Sequence, residues 1–270
     1  MKFTTSFYSR KSHYWNEDRF ITSSHFCMVI DGATPLIKKG DVNFARYLVD
    51  YIKKNINTID GPISHRLEIL VHQVAEKLNL NDDRAAYLPS ASLSYVEFKD
   101  DYIHIGLLGD CEVTLKMKNG DIIRYYDDRL SKLDGGVIDT AIKLSHEQNI
   151  SLSEIRPLII DDLIANRNKA NKDNGYFALV ASKNYKFKEL SFDVPLKDID
   201  EIYLYSDGYS SIFSTFDVYS NHQEAFKDDI DVKEEINKIV IKAYKDRNIE
   251  KYPRFKVIDD ISLLKIKLAN

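Results

Sequence analysis

Four times in this chain an apolar run of strand length ends on an aspartate. The runs are Cys27-Met28-Val29-Ile30-Asp31, Gly106-Leu107-Leu108-Gly109-Asp110, Tyr203-Leu204-Tyr205-Ser206-Asp207 and Phe255-Lys256-Val257-Ile258-Asp259. Short runs of this kind, bounded by turn residues, read as buried strands. A carboxylate just past such a strand sits at the rim of a core, fixed by the strand and partly desolvated. Several carboxylates converging there repel one another and raise each other's pKa unless a cation neutralises them. Hard oxygen ligands suit Mg²⁺ or Mn²⁺ rather than zinc, which favours His and Cys. Taken singly, each Asp is an ordinary turn former, and Asp31-Gly32 and Asp207-Gly208 read as plain turns. The recurrence, with Glu17-Asp18 just upstream of the first run, points instead to a shared site.

Strand patterning extends beyond these runs. Expected strands are His25–Ile30, Ala91–Phe98, Tyr102–Leu108, Glu112–Lys118, Asp121–Tyr126, Tyr176–Ala181, Glu201–Tyr205 and Ile261–Leu268. Asn119-Gly120 between two of them is a strong hairpin signal, because both residues tolerate positive φ. A meander of this kind argues for antiparallel sheets rather than a doubly wound parallel one. Helical periodicity marks Asn43–Ile56, His65–Leu80, Val137–Glu147, Ser153–Asn168 and Val232–Asp246. The expected class is an α+β sandwich: a four-layer αββα arrangement of two facing, mainly antiparallel sheets flanked by helices. With 270 residues and no linker-like segment, the chain reads as one domain, 1–270.

Composition closes off several function classes. Basic and acidic residues number 38 and 42 and are interspersed, so no electrostatic footprint for nucleic acid or an anionic membrane is present. No apolar stretch is long enough to span a bilayer, and Met1–Arg10 lacks the apolar core of a signal peptide. The two cysteines, Cys27 and Cys111, lie in apolar runs and form no disulfide framework. The expectation is a soluble, cytoplasmic protein.

Six short segments then fall in a fixed order along the chain. They are Asn16-Glu17-Asp18-Arg19, Val29-Ile30-Asp31-Gly32, Ser90-Ala91-Ser92-Leu93, Gly109-Asp110, Ser206-Asp207-Gly208 and Asp259-Asp260-Ile261-Ser262. This series resembles the motifs of the PPM-type (type 2C) metal-dependent protein serine/threonine phosphatases. The resemblance implies the same αββα fold and two bound Mn²⁺ or Mg²⁺ ions. It implies that Asp31 bridges the pair, that the Gly32 carbonyl adds a ligand, and that Asp207 and Asp259 complete the other ion's shell. Glu17 and Asp18 would orient waters on the metals. Asp110, with Asp207, would match a third, weaker site. The implied reaction is in-line attack of an activated water on a phosphoserine or phosphothreonine of a phosphorylated protein substrate, with no phospho-enzyme. Asp31, Asp207 and Asp259 would be its catalytic carboxylates.

The chain departs from the family pattern in three places. Asp31-Gly32 is followed by Ala33-Thr34-Pro35 rather than by His or Met and a Gly pair, so no histidine stands ready as a general acid. Where the family commonly places a phosphate-clamping Arg, four residues before Glu17, this chain has His13, with Lys11 and Arg10 close by as the other candidates. The central region, 127–174, matches poorly and is the expected substrate-selecting flap, to which Arg167 and Asn171 are candidate contributors.

Rival chemistries are testable on the sequence. A cysteine-dependent phosphatase needs Arg six positions after its Cys, but Cys27 leads to Ala33 and Cys111 to Met117. No Asp-x-Asp nucleophile pair follows the strand ending at Asp31, and no Gly-rich nucleotide loop is present. Two readings compete with the phosphatase. One is a catalytically silent module that binds phosphoproteins or regulates a partner, motivated by the altered loop and the missing Arg. The other is a small-molecule phosphatase using the same metal centre. The full set of acidic residues favours the protein phosphatase.

Overall fold

The computed structural model of the chain describes residues 2–12, 15–37, 43–148, 150 and 152–269. The first strands are β1 (Phe3–Arg10), β2 (Asp18–Thr22) and β3 (Phe26–Ala33). Helices α1 (Phe44–Asn55) and α2 (Ile63–Lys77) lead to strands β4 (Ser90–Phe98), β5 (Tyr102–Leu108), β6 (Glu112–Met117) and β7 (Ile122–Tyr125). Helices α3 (Arg129–Gln148), α4 (Leu152–Ile155) and α5 (Ile160–Arg167) follow, then strands β8 (Leu179–Val180), β9 (Leu190–Pro195) and β10 (Ile199–Tyr205). The chain closes with α6 (Asp207–Ser214), α7 (His222–Phe226), α8 (Val232–Lys245) and β11 (Ile261–Leu268).

Two antiparallel sheets result, as the hairpin signals predict. One has the order β1-β11-β10-β6-β7; the other has the order β2-β3-β4-β5-β9, with β8 paired to β4. Each central strand is apolar on both faces because each face has its own core. Along β3, Cys27 and Val29 pack between the sheets, while Met28 and Ile30 pack under α1 and α2. Along β10, Ile202 and Leu204 face the other sheet, while Tyr203 and Tyr205 pack beneath α6 and α8. This is the αββα sandwich.

The two-residue period also decides where Asp31 goes. It shares the side of β3 that carries Cys27 and Val29, so it emerges between the sheets at the strand's end. Strand β3 runs on through Gly32 and Ala33, opposite Ala91 and Ser90 of β4, so Asp31-Gly32 is not a turn. Asp207-Gly208 is not a plain turn either: it is the first turn of α6.

A second departure concerns Phe255–Asp259, which forms no strand. Its side chains are claimed by separate clusters, Phe255 by the α3–α5 helices and Ile258 by the α6–α8 layer. Upstream, Arg254 is locked by the carbonyls of Ala243, Asp246 and Tyr252 and by the Asp246 carboxylate at 2.7 Å. Asp259 therefore precedes β11 on an irregular loop. Strands β1 and β9 carry polar alternation that gives little apolar signal, and both are sheet edges.

Candidate metal centre

At one end of the sandwich, where the two sheets part, lies a cleft of about 770 Å³. Glu17, Asp31, Gly32, Asp110, Asp207 and Asp259 all line it. Sequence positions separated by most of the chain thus meet in one place. Helices α3 and α5 supply one wall through Leu130, Asp134, Leu163 and Arg167, which puts part of the expected flap region at the site.

Strand pairing builds the floor. Asp18 of β2 stands directly opposite Asp31 of β3, and Asp31 stands opposite Ser92 of β4. Like charges directly opposite in a sheet are destabilising. The carboxyls of Asp31 and Asp207 lie within hydrogen-bonding reach of each other. Ligand atoms of Asp31, Asp110 and Cys111 fall within 4.8 Å of one another, a cluster able to hold a metal ion.

Electrostatics follow from this crowding. Burial pushes the Asp31 carboxyl well above the usual range, and the fields of Asp18, Asp207, Asp110 and Asp259 push it further. Asp207 is raised by burial, then by Asp110 and Asp259, and Asp110 is raised chiefly by burial. Asp18 is raised to about 7 by burial, against hydrogen bonds from Ser262 and Ser206, with Asp260 and Asp259 adding to the rise. One oxygen of Asp18, Oδ1, is buried without a hydrogen-bond partner, although Ser206 donates to its other oxygen at 3.0 Å. A buried carboxylate oxygen with no donor, among four converging carboxylates, is the environment that a hard divalent cation and its waters satisfy.

The surrounding residues fix these groups. Glu17 accepts hydrogen bonds from Thr34 at 2.7 Å and Asn43 at 2.5 Å. Thr34 therefore has a defined task in the loop that departs from the family pattern. Arg19 donates to the carbonyls of Asn16 and Asp18 and to Asp50 of α1, clamping the Asn16–Arg19 segment. Asp260 is committed wholly to distant backbone, accepting from the amides of Ser12 and Glu17, both at 2.6 Å, whereas Asp259 accepts from the adjacent Asp260 amide at 2.9 Å and from Lys256. Nothing in the sequence separates the roles of these two adjacent aspartates.

Gly208 is required by contact rather than by dihedral angle. A Cβ there would lie 1.9 Å from the Asp260 carbonyl oxygen. Gly208→Ala is expected to force α6 off β11 and destabilise the protein by about 3 kcal/mol, the upper end of the overpacking range. Urea melts of variant and wild type measure it; equal midpoints would contradict this placement.

The phosphate-clamp candidates lie elsewhere. Arg10 is directed away from the cleft, its guanidinium 5.9 Å from the ring centre of Tyr244 on α8. Lys11 is exposed and is not among the cleft-lining residues, and His13 lies outside the described residues. Asn171 locks its own loop, donating to the Ala178 carbonyl at 2.9 Å and accepting from the Ala178 amide at 3.1 Å. Among the described residues, the cations that line the cleft are Arg156, Arg167 and Lys256. Arg167 donates to Ser90 at 3.1 Å and lies in the field of Asp110. Lys256, which no sequence motif singles out, holds both oxygens of Asp259 at 2.7 and 2.8 Å. No helix among the described residues is long and apolar enough to cross a membrane.

No protein-family model and no curated protein sequence matches the chain. Solved structures do. The Mycobacterium tuberculosis serine/threonine phosphatase PstP/Ppp superposes with a TM-score of 0.59 at 13% identity, over 99% of each chain. The catalytic domain of the serine/threonine protein phosphatase PstP, in complex with two manganese ions, gives 0.56 at 14% identity over 99% of each chain. PppA, a regulatory component of T6SS in Pseudomonas aeruginosa, gives 0.58 at 12% identity over 99% of this chain and 98% of that one. With this likeness, the αββα layering and an acidic cleft between the sheets, the chain has the fold of the PPM-type serine/threonine phosphatases.

Proposed function

We propose that the chain is a single-domain, metal-dependent protein phosphatase that hydrolyses phosphoserine and phosphothreonine in protein substrates. The observation that carries this is the meeting of Asp31, Asp110, Asp207 and Asp259 in one cleft, with Asp18, one oxygen partnerless, directly opposite Asp31 in the sheet. Mn²⁺ or Mg²⁺ bound as a pair would supply an acidified water and neutralise the phosphoryl oxygens. Asp31, in the field of the other four aspartates, would serve both ions. Asp207 and Asp259 would complete the shell of one, with the Gly32 carbonyl as a further ligand, and Asp110 would hold a third, weaker one. Glu17, steadied by Thr34 and Asn43, and Asp18, steadied by Ser206, would orient water. The α3–α5 wall would select among phosphorylated segments.

No histidine lines the cleft among the described residues, so protonation of the leaving alkoxide would fall to water. Catalysis would then be mainly positioning and charge neutralisation. The full acidic set gives the silent-module reading no support. Hydrolysis of p-nitrophenyl phosphate and of phosphoserine and phosphothreonine peptides tests the proposal. Mn²⁺ should raise turnover by at least about a thousandfold over chelated protein, as expected for electrostatic stabilisation of a phosphoryl transition state. Tight Mn²⁺ binding without turnover would favour the silent module, and turnover of sugar phosphates or nucleotides alone would favour a small-molecule phosphatase.

A further inference from the structure

The cleft needs a cation that can meet a phosphoryl oxygen, and among the described residues the N-terminal segment brings none to it: Arg10 lies against the Tyr244 ring and Lys11 does not line the cleft. Arg167 is already engaged by Ser90 and Asp110, and Arg156 is an exposed residue at the rim. Lys256 is exposed as well, but it differs from both in its partner. Its ammonium bonds both oxygens of Asp259 and lies in the fields of Asp207 and Asp31, so it stands among the carboxylates themselves.

The backbone that carries it is pinned on both sides. Arg254 is tied to Ala243, Asp246 and Tyr252, Phe255 packs against the α3–α5 cluster, and Asp260 is held by the amides of Ser12 and Glu17. The lysine side chain, by contrast, is held only at its ammonium, by Asp259. Its four-carbon stem and three rotatable donors allow it to change partner without moving the loop.

We infer that Lys256 is the phosphate-binding cation of this cleft, parked on Asp259 until divalent cations take that carboxylate and release it to the substrate phosphoryl group. The inference rests on the phosphatase reading above. A divalent cation on Asp259 both removes the acceptors of Lys256 and repels its ammonium. The nearest anion left to it is the phosphoryl group drawn into the same cleft. The lysine thus supplies, from the opposite end of the chain, a cation that the described N-terminal residues do not bring to the cleft.

Two readouts on the full-length protein test this: Mn²⁺ affinity by titration calorimetry, and the split between KM and kcat for p-nitrophenyl phosphate. Lys256→Met should bind Mn²⁺ about tenfold more tightly, because its competitor is gone. The same variant should show a KM raised about tenfold with kcat within about threefold, the pattern of lost ground-state binding. Lys256→Arg should keep KM near wild type, since it restores a donor to phosphate. Unchanged Mn²⁺ affinity in Lys256→Met would overturn the inference. So would tighter Mn²⁺ binding with an unchanged KM, since the ammonium would then compete with metal and never meet phosphate. Either result leaves the phosphatase reading standing, whereas a wild-type protein that binds no Mn²⁺ removes both.

Discussion

Asp31→Asn should abolish metal-dependent hydrolysis while making the metal-free protein more stable. The two effects have one cause. Asp31 faces Asp18 across the β2–β3 ladder, contacts the Asp207 carboxyl and feels Asp110 and Asp259, so its charge is tolerated only when a cation shares it. The amide has nearly the same shape and no charge. Turnover of p-nitrophenyl phosphate should fall by at least about 10³-fold, because both cations lose a shared ligand. Unfolding free energy in chelator at pH 8 should rise by about 2 kcal/mol as the cost of burying the carboxylate, and then its repulsion by neighbouring aspartates, is relieved. A variant that keeps activity within tenfold, or that melts below the metal-free wild type, would contradict the placement of Asp31 at the centre of the cluster.

The second large effect is on stability against pH. Asp18 titrates near 3.8 in an unfolded chain and near 7 in the fold, with burial as the main cause. Its folded pKa is raised, so between these values the folded state holds a proton that the unfolded state has released. Stability is therefore greatest below the unfolded value and is lost as pH rises through about 7, the reverse of the usual carboxylate. Each pKa unit is worth 1.36 kcal/mol, so moving from pH 5 to pH 8 should cost the metal-free protein about 3 kcal/mol from Asp18 alone. Asp31 and Asp207, raised in the same direction, add to it. For a chain of this size the melting temperature should drop by roughly 6–10 °C. Mn²⁺ should flatten the profile, because it binds the ionised fold and not the unfolded chain. Thermal melts at pH 5 and 8, with chelator and with Mn²⁺, read this directly. A metal-free protein that gains stability across that interval would refute it.

How much of this was legible in the sequence depended on whether a residue's role is set locally. The two-sided apolar character of β3, β10 and β11 requires two layers on each strand's flanks, and Asn119-Gly120 requires an antiparallel neighbour, so the sandwich could be read. The position of Asp31 in the cleft could be read because strand period carries it to the side of β3 that faces the other sheet. Asp259 lines the cleft, but not as the end of a strand. Its run is apolar, but Phe255 and Ile258 serve different clusters, and a loop whose side chains diverge looks like a strand until the tertiary contacts are known.

Other features left no local signal. Helix α6 begins directly at Asp207, and Gly208 masks it as a turn because its lack of a side chain serves the Asp260 backbone rather than a dihedral angle. Arg10 has the right charge and nearly the right position, but strand pairing with Ile261 places it beneath α8, where Tyr244 takes its guanidinium. The difference between Asp259 and Asp260 depends on where residues 12 and 17 return, 243 or more positions away in sequence. Lys256 was invisible for the same reason, since a lysine three residues before an aspartate is common on any polar surface.

The central claim is that Asp31, Asp207 and Asp259 share a pair of hard cations. Anomalous diffraction from crystals soaked in Mn²⁺ tests it most directly. The account predicts two peaks about 3.5–4 Å apart in the cleft, with Asp31 oxygens on both and Asp207 and Asp259 on one. No peak in the cleft, or peaks coordinated without Asp31, would contradict it.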